Sequence, residues 1–243
     1  MDLDPRLTAL HRLGGFFVLR TTGVRSLPTL AQAYVPGPPD VHGDFLTSRV
    51  RRVAAALRTP EARVAASVAH QGLAARLCSV ALGSAALYGA VPDLGPHLLR
   101  WDPEAGAPDD LWLTEVRPLP GDAPILADLV LRGHLEPLAE ALRSRHRVAP
   151  GLLRGNAASA LAGAARELNH WARRHGRTDV AARAASLSRA LLADPLLAGA
   201  GTLTGTAFRR RSCCLYYRVP GGGVCGDCCF ARPPGSSPRA PTG

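Results

Sequence analysis

Thr59–Tyr88 reads TPEARVAASVAHQGLAARLCSVALGSAALY, and the reading of this stretch decides the fold. Thr59, Pro60 and Glu61 form a helix start signal. They supply a capping side chain, a proline suited to the first helical position, and a carboxylate at the positive end of the helix dipole. Val64, Val68, Leu73, Leu77, Val80 and Leu87 follow at helical spacing, so the segment predicts one long, largely buried helix, with Gly83 as the point where it breaks. His70 and Gln71 are its polar exceptions. A histidine in this setting reads as a hydrogen-bonded core residue, and Cys78 as core filler. The longest uncharged run, Leu77–Pro92, is shorter than the roughly 18 residues that span a bilayer.

Outward from this helix the pattern stays mostly helical. Asp4–Arg12 predicts a short helix stopped by Gly14-Gly15, and Phe16–Leu19 a short strand or buried turn. Ser26–Tyr34 predicts a second helix, closed by Pro36-Gly37-Pro38-Pro39. Thr47–Arg58 is amphipathic, with Arg49, Arg51, Arg52 and Arg58 on its solvated face. The period then changes. His97–Trp101 and Leu111–Val116 flank an acidic turn, which predicts a β-hairpin over 97–116 with Trp101 and Trp112 paired across it. Pro118-Leu119-Pro120-Gly121 closes an N-terminal region, 1–120.

The second region, 121–231, predicts helices from Asp122, over Leu135–His146, over Gly151–His175 and over Asp179–Leu192. A small-residue connector, Gly199–Thr206, follows, and 232–243 reads as a disordered tail. Aromatics are only 5% of the chain, while Ala and Leu dominate, which favours helix over sheet. The fold class is mainly α (α+β): a helical bundle-like domain with a small antiparallel hairpin and a C-terminal cysteine-rich loop.

Five of the six cysteines fall in the 17 residues Cys213–Cys229. Structural cysteines scatter through a core, whereas clustered thiols point to a metal or inorganic cluster. The spacing is Cys213-Cys214, ten residues, then Cys225-x-x-Cys228, with Cys229 adjacent as an extra thiol. Three occupants suit thiols in such a box: an iron–sulfur cluster, structural zinc, or disulfides. A vicinal pair suits a single zinc poorly, because one ion needs loops that close around it. A two-iron cluster is wider. Nothing in the chain marks an oxidising compartment.

Cys213-Cys214-x10-Cys225-x-x-Cys228 at the C-terminal end, preceded by Arg209-Arg210-Arg211-Ser212, resembles the FhuF-type ferric-siderophore reductases. Leu153-Arg154-Gly155-Asn156 is similar to a Leu-Trp-Gly-Asn segment of the same relatives, with Arg154 in place of the tryptophan. The resemblance implies a [2Fe-2S] cluster held by Cys213, Cys214, Cys225 and Cys228. It also implies one-electron reduction of a ferric siderophore, fed by a ferredoxin or flavin reductase. Asn156, Arg209, Arg210 and Arg211 are expected to meet the substrate or donor, and Tyr216 and Tyr217 to cover the cluster or pack beneath it. The competing readings are a non-catalytic zinc-binding structural or regulatory module, and a plain electron carrier.

The net charge of +10 rests on arginine. These arginines are dispersed, without interleaved aromatics or a recognised reading motif, so nucleic acid is not an expected partner. The same charge steers an anionic ferric complex or an acidic donor. There is no phosphate-binding glycine loop after a strand, no hydrolytic triad and no solenoid repeat. The N-terminus lacks signal-peptide character, so a soluble cytoplasmic protein is expected.

Overall fold

The long helix is present as α4, Ala62–Tyr88, and the other elements pack around it in the computed structural model, which describes residues 4–23, 26–35, 44–107 and 109–234. It begins later than the start signal implies. Glu61 is the N-cap residue, and the Thr59 hydroxyl instead accepts the Glu61 N–H at 3.4 Å in the preceding turn. Nor does the helix break at Gly83. A Cβ there would stand 2.9 Å from the Phe17 ring, so the glycine admits a neighbouring side chain rather than ending the helix. Gly89, at φ 67°, supplies the left-handed residue that does end it.

Before α4 come α1 (Asp4–Leu10), α2 (Leu30–Tyr34) and α3 (Phe45–Ala56). Phe16–Leu19 is not a strand; a 3-10 turn over Gly15–Phe17 buries Phe17 and leaves Phe16 exposed. The α2 helix is shorter than the expected Ser26–Tyr34. Thr29 and Gln32 form a capping box, and the preceding residues are not helical. Asp44 caps α3. The Pro36–Pro39 break and positions 235–243 of the expected tail lie outside the described residues.

After α4 the chain enters β1 (Ala90–Pro92), β2 (Leu99–Trp101), β3 (Leu111–Leu113) and β4 (Pro118–Pro120). The expected hairpin is β2–β3. Its register sets Trp101 opposite Leu111 and Arg100 opposite Trp112, so the two tryptophans are not cross-strand partners. Trp101 instead lies under the Arg49 guanidinium, 4.8 Å from its ring centre. The Pro118–Pro120 segment, read as a terminator, is a strand: it pairs antiparallel with β1, and a Cβ on the following Gly121 would stand 2.8 Å from the Gly89 carbonyl carbon.

Arg76 fastens the hairpin to α4. It is fully buried, ion-paired to Asp110 at 3.1 Å, and donates to the Gly15 carbonyl at 2.7 Å.

The second region runs through α5 (Ala123–Leu126), a π-helical stretch (Ala127–Leu135) and α6 (Glu136–His146) as one continuous helical path, where two segments were expected. Next come α7 (Pro150–Arg174) and α8 (Thr178–Leu192). One apolar core takes in Leu10, Leu77, Trp101, Leu131, Leu161 and Leu191, drawing on both halves of the chain. The mainly-α reading with small antiparallel strand pairs is borne out.

The expected connector Gly199–Thr206 is in fact half of a second hairpin, β5 (Gly201–Thr204) with β6 (Ala207–Arg210). A Cβ on Gly201 would fall 2.4 Å from the Arg209 carbonyl oxygen, which is why a glycine-rich stretch forms this strand. The hairpin delivers the chain to the cysteines.

Candidate functional site

Strand alternation along β6 divides the arginine run. Arg209 and Arg211 face solvent, while Arg210 points inward and is 3% exposed. The Arg210 N–H bonds the Asp227 carbonyl at 3.0 Å, so β6 lies against the Cys225–Cys228 turn. That turn is closed by the Cys228 N–H on the Cys225 carbonyl at 3.1 Å. Arg209 reaches the same loop through the Cys229 carbonyl at 3.2 Å.

The residue after the vicinal pair carries backbone strain. Leu215 adopts φ 67°, a left-handed conformation for a residue with a branched side chain, at a cost of about 1–2 kcal/mol. In that conformation its N–H lies 3.2 Å from the Cys213 sulfur, and the Phe230 N–H lies 3.4 Å from that of Cys228. Amides on sulfur stabilise thiolate charge.

Cys214 and Cys225 come together, their sulfurs 3.4 Å apart, too far for a disulfide. Their sulfur–sulfur contact draws the Cys214 pKa down to about 7 and pushes that of Cys225 up. Burial raises Cys213 and the more exposed Cys229. Cys78, inside α4, is pushed to about 12 by burial and takes no part.

Beneath the cysteines lies a polar knot that the motif alone does not reveal. Ser67 of α4 donates its hydroxyl to the Cys214 carbonyl at 2.7 Å. The Asn156 amide donates to the Ser67 carbonyl at 2.8 Å and approaches its hydroxyl at 3.1 Å. The Asn156 carbonyl oxygen accepts from the Arg210 guanidinium. Asn156 has no exposed surface, so this geometry gives it a supporting position under the cysteines rather than the expected substrate contact.

Gly155 is explained by the same packing. A Cβ there would fall 2.3 Å from the Ser212 hydroxyl and 3.2 Å from the Arg210 guanidinium. Ser212 in turn bonds the Gly151 carbonyl at 2.7 Å. The Gly155-Asn156 pair and the cysteine box are therefore one unit in space.

Asp227, between Cys225 and Cys228, is buried. It accepts from the Ser159 hydroxyl at 2.6 Å and pairs with Arg166 at 3.1 Å. These residues, with Phe16, Gln71 and Glu167, line a cleft of about 400 Å³ that opens beside the cysteine loop. Ser67, Ser159, Arg166 and Asp227 escaped the sequence reading. Only Asp227 carried a signal, an acid set between two thiols. His70 also faces the knot. Burial first, and then Arg210, hold it neutral with a pKa of about 3, and both ring nitrogens lack partners, contrary to the hydrogen-bonded core residue expected.

On the outer side Tyr216, Val224 and Phe230 are exposed, and Tyr217 meets Phe230 edge-on at 6.0 Å. Arg218 pairs with Glu61 at 2.7 Å, anchoring the loop to the start of α4.

Among the described residues no three or more His, Cys, Asp or Glu side chains converge on a single metal ion. The donors instead comprise a close thiol pair, two further thiols with amides on their sulfurs, and a buried cation. That set suits a cluster with two irons sharing four thiolates.

Residues 210–230 match the family described as the FhuF 2Fe-2S C-terminal domain. No curated protein matches the chain in sequence. The chain thus carries an FhuF-type 2Fe-2S domain in these residues, and the cofactor is a [2Fe-2S] cluster.

Proposed function

We propose that the protein reduces the iron of a ferric siderophore by one electron and so releases it as ferrous iron in the cytoplasm. What carries this reading is the Cys214–Cys225 pair at 3.4 Å inside the segment that matches the FhuF 2Fe-2S domain. Ferric iron is hard and tightly held by anionic oxygen ligands, whereas ferrous iron is held far more weakly, so a single electron labilises the complex. When bound, the cluster supplies that electron. For each electron so supplied one ferric ion would become one ferrous ion, and no atom would be transferred.

In this reading Cys213, Cys214, Cys225 and Cys228 are the ligands. The Leu215 and Phe230 amides stabilise charge on the sulfurs, and Ser67, Asn156 and Asp227 hold the two cysteine pairs in place. The cleft beside Asp227 receives part of the chelate next to the loop. The exposed Tyr216, Val224 and Phe230 of the loop, together with the exposed Arg209, receive the electron donor, an acidic ferredoxin or a flavin reductase. No helix among the described residues is long and apolar enough to cross a membrane.

The test is stoichiometric. Protein purified without oxygen and reduced with dithionite, then freed of excess reductant, is mixed with a ferric siderophore and a ferrous chelator. One ferrous ion trapped per cluster, with loss of the siderophore's colour, is the expected result. A reduced cluster that leaves the colour unchanged would make the protein an electron carrier. One zinc per chain without sulfide would make it a zinc module.

A further inference from the structure

Arg210 is a buried cation with no anion beside it. Its side chain meets only neutral acceptors, the Asn156 amide oxygen and the Leu152 carbonyl at 3.4 Å, and its Nε has no hydrogen-bond partner. No ion pair of Arg210 occurs among the described residues. The acid inside the loop, Asp227, offers Arg210 its backbone carbonyl while its carboxylate turns to Ser159 and Arg166.

Burying a guanidinium without a counter-charge costs several kcal/mol, so such groups are rare unless something balances them. Gly155 leaves the room that this one occupies. What Arg210 does border is the cysteine loop: its backbone N–H bonds the Asp227 carbonyl between Cys225 and Cys228 at 3.0 Å, and its guanidinium shares Asn156 with Ser67, whose hydroxyl holds the Cys214 carbonyl at 2.7 Å. His70, the remaining titratable neighbour, is kept uncharged.

We propose that Arg210 is the built-in counter-charge of the [2Fe-2S] cluster, balanced only when the thiolates hold iron, and that it favours the reduced over the oxidised state. Four thiolates, two sulfides and two ferric irons form a dianion that one electron turns into a trianion, and a fixed cation stabilises the second more than the first. Arg210 is thus a positioning and tuning residue rather than a substrate contact. The inference rests on the cysteine segment holding its cluster.

The test is a redox titration, followed by absorbance and EPR, of the anaerobically purified full chain and three variants. Arg210→Gln removes the charge. Asn156→Asp keeps the arginine but sets a carboxylate against it. Arg210→Lys restores a cation. At a fixed potential the ratio of reduced to oxidised cluster is expected to fall about tenfold in the first two, a shift of about 59 mV for one electron, and to recover toward wild type in the third. A purely structural arginine predicts altered cluster content with unchanged potential, and Asn156→Asp at the wild-type potential overturns the proposal even if Arg210→Gln fails to assemble. A wild-type chain without sulfide-bound iron would instead remove the cluster reading, and this inference with it.

Discussion

Gly155→Ala is a substitution whose sign separates two views of the C-terminal half. Inside an isolated helix, alanine is favoured over glycine by roughly 0.5–1 kcal/mol, so by propensity alone the change stabilises. In the folded chain the new methyl falls 2.3 Å from the Ser212 hydroxyl, which must rotate away from the Gly151 carbonyl it bonds at 2.7 Å. Losing that bond costs about 1 kcal/mol, and displacing Arg210 from its packed position adds overpacking strain of about 1–3 kcal/mol. The balance is a loss of about 2 kcal/mol. Gly72→Ala is the internal control: it lies within α4 with nothing within 4 Å of its Cβ position, and should gain about 1 kcal/mol. Urea unfolding of the anaerobic holoprotein reads both midpoints. Measured against Ser212→Ala, which has already given up the Gly151 bond, Gly155→Ala should cost less than it does in the wild-type chain, because the offending oxygen is gone. If Gly155→Ala raises the midpoint as Gly72→Ala does, the docking of the cysteine segment on α7 is not as described.

Other consequences can be checked separately. Cys225→Ser should abolish cluster assembly, measured as iron and acid-labile sulfide per chain, whereas Cys229→Ser should spare it; equal loss would mean a different ligand set. Asp110→Asn leaves Arg76 buried without its ion-pair partner and should cost about 3–5 kcal/mol in unfolding free energy, with little change in the cluster's EPR signal. His134 is fully buried between the Tyr34 hydroxyl at 2.7 Å and the Leu94 carbonyl at 2.6 Å, and burial lowers its pKa to about 4. A lowered histidine pKa means the fold favours the neutral ring. Its contribution is therefore complete above the unfolded value of about 6.5 and is lost as pH falls from there towards 4, about 3 kcal/mol in all. His134→Gln should flatten the stability profile across that window, and an unchanged slope would remove His134 as its source.

The central helix, the amphipathic α3, the β2–β3 hairpin and the cysteine spacing could all be read from residue order, because helical period, alternation and chelate spacing are local properties. The tertiary structure decided what those elements face. Gly83 looks like a helix break until Phe17 is found packed against it. Pro118–Pro120 and Gly201–Thr204 look like punctuation, because their pairing depends on partners elsewhere in the chain, Ala90–Pro92 and Ala207–Arg210. Arg209-Arg210-Arg211 reads as a surface charge run until the twofold alternation of β6 turns the middle one inward. Asn156 and Ser67, 89 residues apart, meet only because α4 and α7 pack together under the cysteine loop. Residue order determined the spacing of the thiols, because chelate spacing is local; packing, which sets burial and charge, decided what surrounds them.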